Sequence, residues 1–241
     1  IDVGGTFTDL VLVDDESGRV LTAKASSTPG DPTGGVMATI QQVGAVGADV
    51  TALVHGTTVG TNAVLERKGA RVGFISTKGF RDVIFIQRMN RKYHYDLTWD
   101  KPRLPVDRQD CLEISERVNY KGEVLEPLDE EETSEVIRDL KRRGVEAIAV
   151  CFLFSYLYPQ HELRVREIAQ EIYPEAHVSL SHEVYPRWRE YERASTTILD
   201  AYLKPLVHRY VHSLHKNLVD HGINAPFLLM KPLDRRLTRM W

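Results

Sequence analysis

Asp2-Val3-Gly4-Gly5-Thr6-Phe7-Thr8-Asp9 is the stretch whose reading decides the fold of this chain. Val3 ends one apolar strand and Leu10-Val11-Leu12-Val13 forms the next, with two glycines at the turn between them. Glycine has no side chain to screen the backbone, so the N–H groups of such a turn can converge on phosphate oxygens. Thr6 and Thr8 add hydroxyl donors, and Asp2 and Asp9 bracket the turn with carboxylates. Asp2, at a strand end, is placed to hold Mg²⁺ directly or through water, because a hard cation prefers oxygen ligands. An ordinary diglycine hairpin is the alternative; the flanking acids and the two threonines weigh against it. Neither a GxxxxGK[ST] motif nor a GxGxxG after a strand is present.

Outward from that turn, Asp14-Asp15-Glu16-Ser17-Gly18 is hairpin chemistry leading into a third strand over 19–25. Ser27-Thr28-Pro29-Gly30 reads as a loop. Asp31 caps a helix that Pro32 opens and that Val36, Ile40 and Val43 stripe. Ala52-Leu53-Val54 reads as a buried strand, after which His55-Gly56-Thr57-Thr58 turns into a helix ended by Gly69. Val72-Gly73-Phe74-Ile75 is the next strand. The order β-β-β-α-β-α-β implies three hairpin-linked strands followed by crossover units, an α/β fold with a mixed sheet.

Residues 80–125 read as irregular, with a hairpin at Tyr120-Lys121-Gly122-Glu123. Asp129 caps a helix with Glu132 at the capping-box spacing, and Gly144 stops it. Val145 to Phe154 is a continuous apolar strand, the pattern of one covered on both faces. A helix over 159–172 and a strand over 177–181 follow. Two helices are then expected, over 188–203 and 205–220, with Pro205 opening the second. Phe227-Leu228-Leu229-Met230 is the last expected element.

The 241 residues are 42% hydrophobic and 27% charged, with a formal net charge of −3. That composition argues against wholesale disorder, and near-neutrality removes the large positive field of a nucleic-acid binder. No apolar run approaches the roughly 18 residues of a membrane span. Cys111 and Cys151 are too few and too far apart for a disulfide framework or a CxxC metal site. A reducing cytoplasmic location is the default reading. The chain starts without Met and runs from 231 to 241 without a clear period, so both ends are expected to be cut.

The opening motif on this strand order resembles the first phosphate loop of the ribonuclease H-like superfamily of actin, heat-shock chaperone and sugar-kinase ATPases. More of the sequence resembles the hydantoinase/oxoprolinase family. The residues carrying that likeness are Ile1 to Asp9, His55-Gly56-Thr57-Thr58-Val59-Gly60-Thr61-Asn62, Gly79-Phe80-Arg81-Asp82, Tyr95-Asp96-Leu97 and the block Glu183 to Thr197. The resemblance implies an ATP-dependent enzyme that phosphorylates a cyclic amide, a hydantoin or 5-oxoproline, so that water opens the ring. Sister members are ATP-dependent ketone carboxylase subunits. A truncated, non-catalytic nucleotide-binding or interaction module is a third reading.

Carried over by residue, the resemblance implies that Gly4, Gly5 and Thr6, with Thr8 and Asp9, hold ATP, and that Asp2 holds Mg²⁺. It makes His55, Thr57 and Thr58 catalytic candidates, His55 as an acid or base because its side chain titrates near neutrality. The structural alternative is that His55 ends a strand and a threonine caps the helix. The implied domains are 1–182, with the phosphate loop, and 183–241, the incomplete start of a second lobe. Relatives continue past Met230 with a Gln-Ser-Asn-Gly-Gly-type loop, where this chain has Lys231-Pro232-Leu233-Asp234. A chain so truncated is expected to be inactive alone. Implied partners are a cyclic amide substrate, a B-type hydantoinase subunit and further copies in the full-length form, but neither nucleic acid nor membrane.

Two other clusters read as structural. His208, His212 and His215 share a helical face at ligand spacing but lie off the Leu203, Val207, Tyr210, Leu214, Leu218 stripe, as a solvated face does. Arg88, Arg91, Lys92, Lys101 and Arg103 interleave with Tyr93, Tyr95 and Trp99, and in an acidic protein read as a partner or substrate loop.

Overall fold

A computed structural model describes residues 1–28, 32–45, 47–90, 95–230 and 237–239. Packing divides the chain into two units: Ile1–Lys68 with Leu206–Trp241, and Gly69–Pro205. The boundary expected at 182/183 therefore does not divide the packing, because the last strands return to the first sheet.

The first unit is built around β1 (Asp2–Val3), which lies between β2 (Phe7–Val13) on one side and β4 (Leu53–Thr57) on the other. β3 (Val20–Ser26) completes the antiparallel meander, and α1 (Pro32–Val43) leads back towards β4. β4 runs parallel to β1 and passes through His55, Gly56 and Thr57, which the sequence reading had placed in a turn. α2 (Val59–Leu65) follows; it ends at Leu65, before the Gly69 stop that was expected.

The second unit opens with β5 (Val72–Thr77) and α3 (Val83–Ile86). β6 (Cys111–Ile114), β7 (Arg117–Val118) and β8 (Val124–Glu126) come from the stretch read as irregular, so Cys111 sits in a strand. α4 (Glu130–Arg142), β9 (Ala147–Cys151), α5 (Gln160–Ile172), β10 (His177–Leu180) and α6 (Ser181–Val184) follow. The sheet order is β10-β9-β5-β6, parallel throughout. β9 is buried at every residue because helices cover both faces. Ile137 and Leu140 of α4 and Val165 of α5 pack on Ile75, Ile148 and Val150. Ala194, Ile198 and Tyr202 pack on Phe74, Ala147 and Ala149.

Local chemistry explains several of these elements. Asp129 caps α4 by accepting from the Glu132 N–H at 2.9 Å, while the Glu132 carboxylate turns to the Ser115 N–H instead of closing the expected capping box. Gly69 answers a packing demand, since a Cβ there would stand 2.3 Å from the Tyr202 ring. Gly69→Ala is expected to cost about 1–3 kcal/mol of stability, read by urea unfolding.

α7 (Glu190–Asp220) is one 31-residue helix where two were expected, with Pro205 inside it. A proline there removes one backbone hydrogen bond and crowds the preceding turn, at about 3 kcal/mol. Burial on both sides offsets this: Ile198, Ala201 and Tyr202 belong to the core of the second unit, and Tyr210, Leu214 and Leu218 to that of the first.

β11 (Phe227–Met230) then pairs parallel with β4, and β12 (Leu237–Arg239), which the sequence reading missed, pairs antiparallel with β11. The first sheet is thus β12-β11-β4-β1-β2-β3, a mixed sheet. Val3, Leu10, Leu53 and Phe227 face Val36 and Ile40 of α1 and the Tyr210–Leu218 stripe of α7. His208, His212 and His215 are exposed, as a solvated face requires. No helix among the described residues is long and apolar enough to cross a membrane. The Asp31 cap, the 91–94 part of the basic and aromatic stretch, and Lys231-Pro232-Leu233-Asp234 lie outside the described residues.

Candidate functional site

β1, β4 and β11 run parallel, so their carboxyl ends share one edge of the sheet. Ligands of α/β sheets bind at that edge, where loops leave the strands without closing over each other. Here the edge carries the diglycine turn after β1 and the Thr58 junction after β4.

The turn closes through the Gly4 N–H, which donates to Phe7 O at 2.9 Å. Gly4 is therefore a turn-former, and its N–H does not face a ligand. Ser27 clamps the other side, its hydroxyl donating to Gly4 O at 2.9 Å and its N–H to Thr6 O at 2.9 Å. What remains without an acceptor among the described residues is the N–H of Gly5 and that of Thr6, with the exposed Thr6 hydroxyl beside them. A Cβ on Gly5 would come within 3.2 Å of the Asn62 Nδ2, so glycine lets the turn lie against the first turns of α2. Asn62 donates to Thr58 Oγ1 at 3.4 Å, and Thr58 bonds Val3 O through both its N–H and its hydroxyl. Thr58 thus ties the end of β1 to the start of α2. The Thr57 hydroxyl accepts from the Val59 N–H at 3.2 Å, a local turn bond.

Asp2 is exposed beside this turn, with Asp9 opposite it on β2 and Gly56 opposite it on β4. A Cβ on Gly56 would lie 3.1 Å from Asp2 Oδ1, so glycine gives the carboxylate room over the strand. Asp9 binds Lys24 at 2.9 Å, whereas no described residue forms an ion pair with Asp2. A carboxylate without a cation, beside unpaired N–H groups and glycine cradles, fits a magnesium-bound phosphate chain. No three His, Cys, Asp or Glu residues among those described group as metal ligands, so such an ion would take its other oxygens from water and phosphate.

Two expected site residues lie elsewhere. Thr8 is fully buried, its hydroxyl 3.2 Å from Ser27 Oγ, and a Cβ on Gly35 of α1 would stand 2.5 Å from it. Alternation along β2 sends Thr8 to the face opposite Asp9. It braces the turn from inside and does not reach a ligand. His55 is also fully buried, Nε2 2.8 Å from the Tyr210 hydroxyl and its ring stacked on Phe227 at 5.7 Å. Burial pushes its pKa down to about 4 and that of the Tyr210 phenol up to about 12, so both are neutral at pH 7. In this setting the neutral imidazole packs in the core and bonds Tyr210, the arrangement of the structural alternative to the acid or base its motif implied.

That burial has a consequence for stability. Between pH 6.5 and 4 the unfolded chain holds a proton on His55 that the folded chain does not, so stability is full above 6.5 and falls as the pH falls. The loss reaches about 3 kcal/mol near pH 4. Urea unfolding from pH 7 to 4.5 is expected to show a steeper decline for the native chain than for His55→Gln.

Gly56 and Asn62 complete the candidate site but drew no individual role from the sequence; their signal was their place in the stretch His55 to Asn62. The buried network of Glu162, Ser181, His182 and Arg193 in the second unit was also unforeseen. Glu162 accepts from the Phe152 and His182 N–H groups and from Ser181 Oγ at 2.6 Å, and Arg193 Nε donates to Ser181 Oγ at 3.1 Å.

Comparison with known proteins shows what the whole chain is similar to. The acetophenone carboxylase gamma subunit of Aromatoleum aromaticum is 36% identical over 95% of this chain and 34% of its own length. The crystal structure of the ATP-dependent caprolactamase from Pseudomonas jessenii superposes with a TM-score of 0.82 at 33% identity, covering 95% of this chain and 34% of that one. Nucleotide-free acetone carboxylase gives the same TM-score at 28% identity, over 95% and 35%. The chain thus spans about a third of the length of these three relatives. The model of the hydantoinase/oxoprolinase N-terminal region matches residues 1–173, from β1 through α5. On that match, this chain belongs to the hydantoinase/oxoprolinase family.

Proposed function

We propose that this chain is the phosphate-binding part of an ATP-dependent enzyme that activates the carbonyl group of a cyclic amide for ring opening. The observation that carries the reading is the pair of unpaired N–H groups at Gly5 and Thr6 beside the exposed Asp2 carboxylate. The order β3-β2-β1-β4-β11, with the first three strands antiparallel, supports a ribonuclease H-like lobe of the actin and sugar-kinase kind. Bound ATP would supply the phosphoryl group that makes the oxygen of a poorly electrophilic amide carbonyl a leaving group, with Mg²⁺ offsetting its charge.

The chain's own residues have separate tasks. Gly5 and Thr6 present donors to phosphate oxygens, fixed in advance because Gly4, Ser27 and Phe7 hold the turn. Asp2 holds the cation, Asp9 and Lys24 set the charge on the same face, and Thr58 and Asn62 hold the turn against α2. The acetophenone carboxylase relative supports a ketone as the second substrate class. The relatives named as subunits support assembly with a further subunit, here a B-type hydantoinase chain.

Titrating the ¹⁵N-labelled chain with ADP and magnesium tests the phosphate assignment. Saturable shifts of the Gly5 and Thr6 amides are expected, larger with magnesium than without. Shifts absent from this turn at millimolar nucleotide would overturn it.

A further inference from the structure

The Gly69–Pro205 unit has its own parallel sheet, in which β5 and β9 lie side by side. Between the carboxyl ends of these two strands and the first turns of α7 is a chamber of about 10 Å³. That volume holds about one water molecule and nothing larger. Its walls are apolar at Phe74, Leu153 and Ala194, and polar at Ser76, Glu190 and Arg193.

Ser76 is 2% exposed, and its hydroxyl has no hydrogen-bond partner among the described residues. Buried hydroxyls are nearly always bonded, to protein or to an ordered water. Arg193 spends one bond from each nitrogen, on Ser181 Oγ, Arg187 O and Phe152 O, whereas a guanidinium carries five N–H donors. Charge then selects the occupant. The Arg193 guanidinium repels a cation. The carboxylates of Glu190, on the chamber wall, and of Glu162, bonded to Ser181 behind Arg193, repel an anion such as chloride. Burial raises the pKa of the Cys151 thiol, so it adds no charge at pH 7. A neutral molecule that both donates and accepts suits all three polar walls, and at this size that molecule is water.

We propose that the chamber is a binding site for one ordered water, which joins Ser76 Oγ to Arg193 and Glu190 and so fastens the start of α7 to the carboxyl end of β5. Three partners are the usual number for a buried water. Val83 and Glu190 also line a surface groove of about 360 Å³, so this water lies under the groove and holds Glu190 in its wall. Arg189, beside the same turn, has a φ of 80° without being glycine. Such a conformation persists only where the surroundings fix it, and the water supplies one of those ties. The site does not depend on the function proposed above.

Ser76→Ala in the whole 241-residue chain tests this, because its effect changes sign with the water. If the water is bound, the substitution removes a hydrogen bond from it. Amide hydrogen exchange in the first turns of α7, read at Ala194, is then expected to speed up about two- to tenfold. Without a water, the substitution removes only an unpaired buried hydroxyl, and exchange there stays the same or slows. In the native chain, methyl-labelled at Leu and Ala, NOE cross-peaks from bound water to the Leu153 and Ala194 methyls are expected, and Ser76→Ala should weaken them. Unchanged or slower exchange at Ala194, or methyls with no water cross-peak, would overturn the proposal. Saturable shifts of the same methyls with sodium chloride but not with sodium sulfate would overturn it in favour of an anion.

Discussion

Asp2→Asn is expected to weaken magnesium-dependent ADP binding by about ten- to a hundredfold, with little change in binding measured without magnesium. The carboxylate is exposed, forms no ion pair among the described residues and sits beside the turn that offers the Gly5 and Thr6 donors. Removing a charged partner from a charge-assisted contact costs about 1.5–3 kcal/mol, which sets that range. Asparagine keeps the shape, and Asp2 takes no part in the core, so urea stability should stay within about 0.5 kcal/mol. Thr8→Ala serves as the contrast: it removes a buried hydroxyl bonded to Ser27, so it lowers stability while leaving the exposed donors in place. Calorimetry with and without magnesium measures the first effect. Equal loss in both conditions would remove Asp2 from the cation and leave it a general electrostatic role.

Arg193→Met is expected to lower the unfolding free energy by about 3–5 kcal/mol, the cost of breaking a buried charge network at one partner. Arg193 is fully buried and the largest such side chain among the described residues. Its loss leaves Phe152 O and Arg187 O without their donor and takes the cation away from Ser181 and the buried Glu162 carboxylate. Methionine supplies the volume but none of the donors. Lysine should rescue only part of the loss, because an ammonium cannot reproduce a planar fork aimed at three acceptors. Arg164→Met, which breaks pairs with Glu130 and Glu167 at the surface, should cost no more than about 1 kcal/mol. Urea unfolding of the three variants separates these cases; an unaffected Arg193→Met chain would show the network to be dispensable.

Much of the candidate site was legible because its signals are local. A diglycine between two apolar runs, flanked by acids, reads as a turn with backbone donors whatever lies around it. The Asp129 cap, the Gly122 hairpin and the all-apolar β9 are of the same kind, each decided within a few residues. Pro205 was misread for the complementary reason. Local chemistry places proline at a helix start, and only two separate cores, packed on either side of it, keep α7 continuous. Gly69 reads locally as a helix stop, whereas its lack of a side chain answers to Tyr202, far along the chain.

By itself, then, the sequence determined the turn, the locally signalled elements such as α4 and β9, and the family to which they belong. It did not determine sides. A strand's period of two says that Thr8 and Asp9 point oppositely, yet not which of them meets solvent. That was decided by α1 and α7 covering one face of the sheet, which buried Thr8 and His55 and left Asp2 outside. The pairing of β11 with β4 was decided the same way, across more than 170 residues. Contacts of that separation are set by the total burial of apolar surface, a sum over the whole chain that no short window of residues contains.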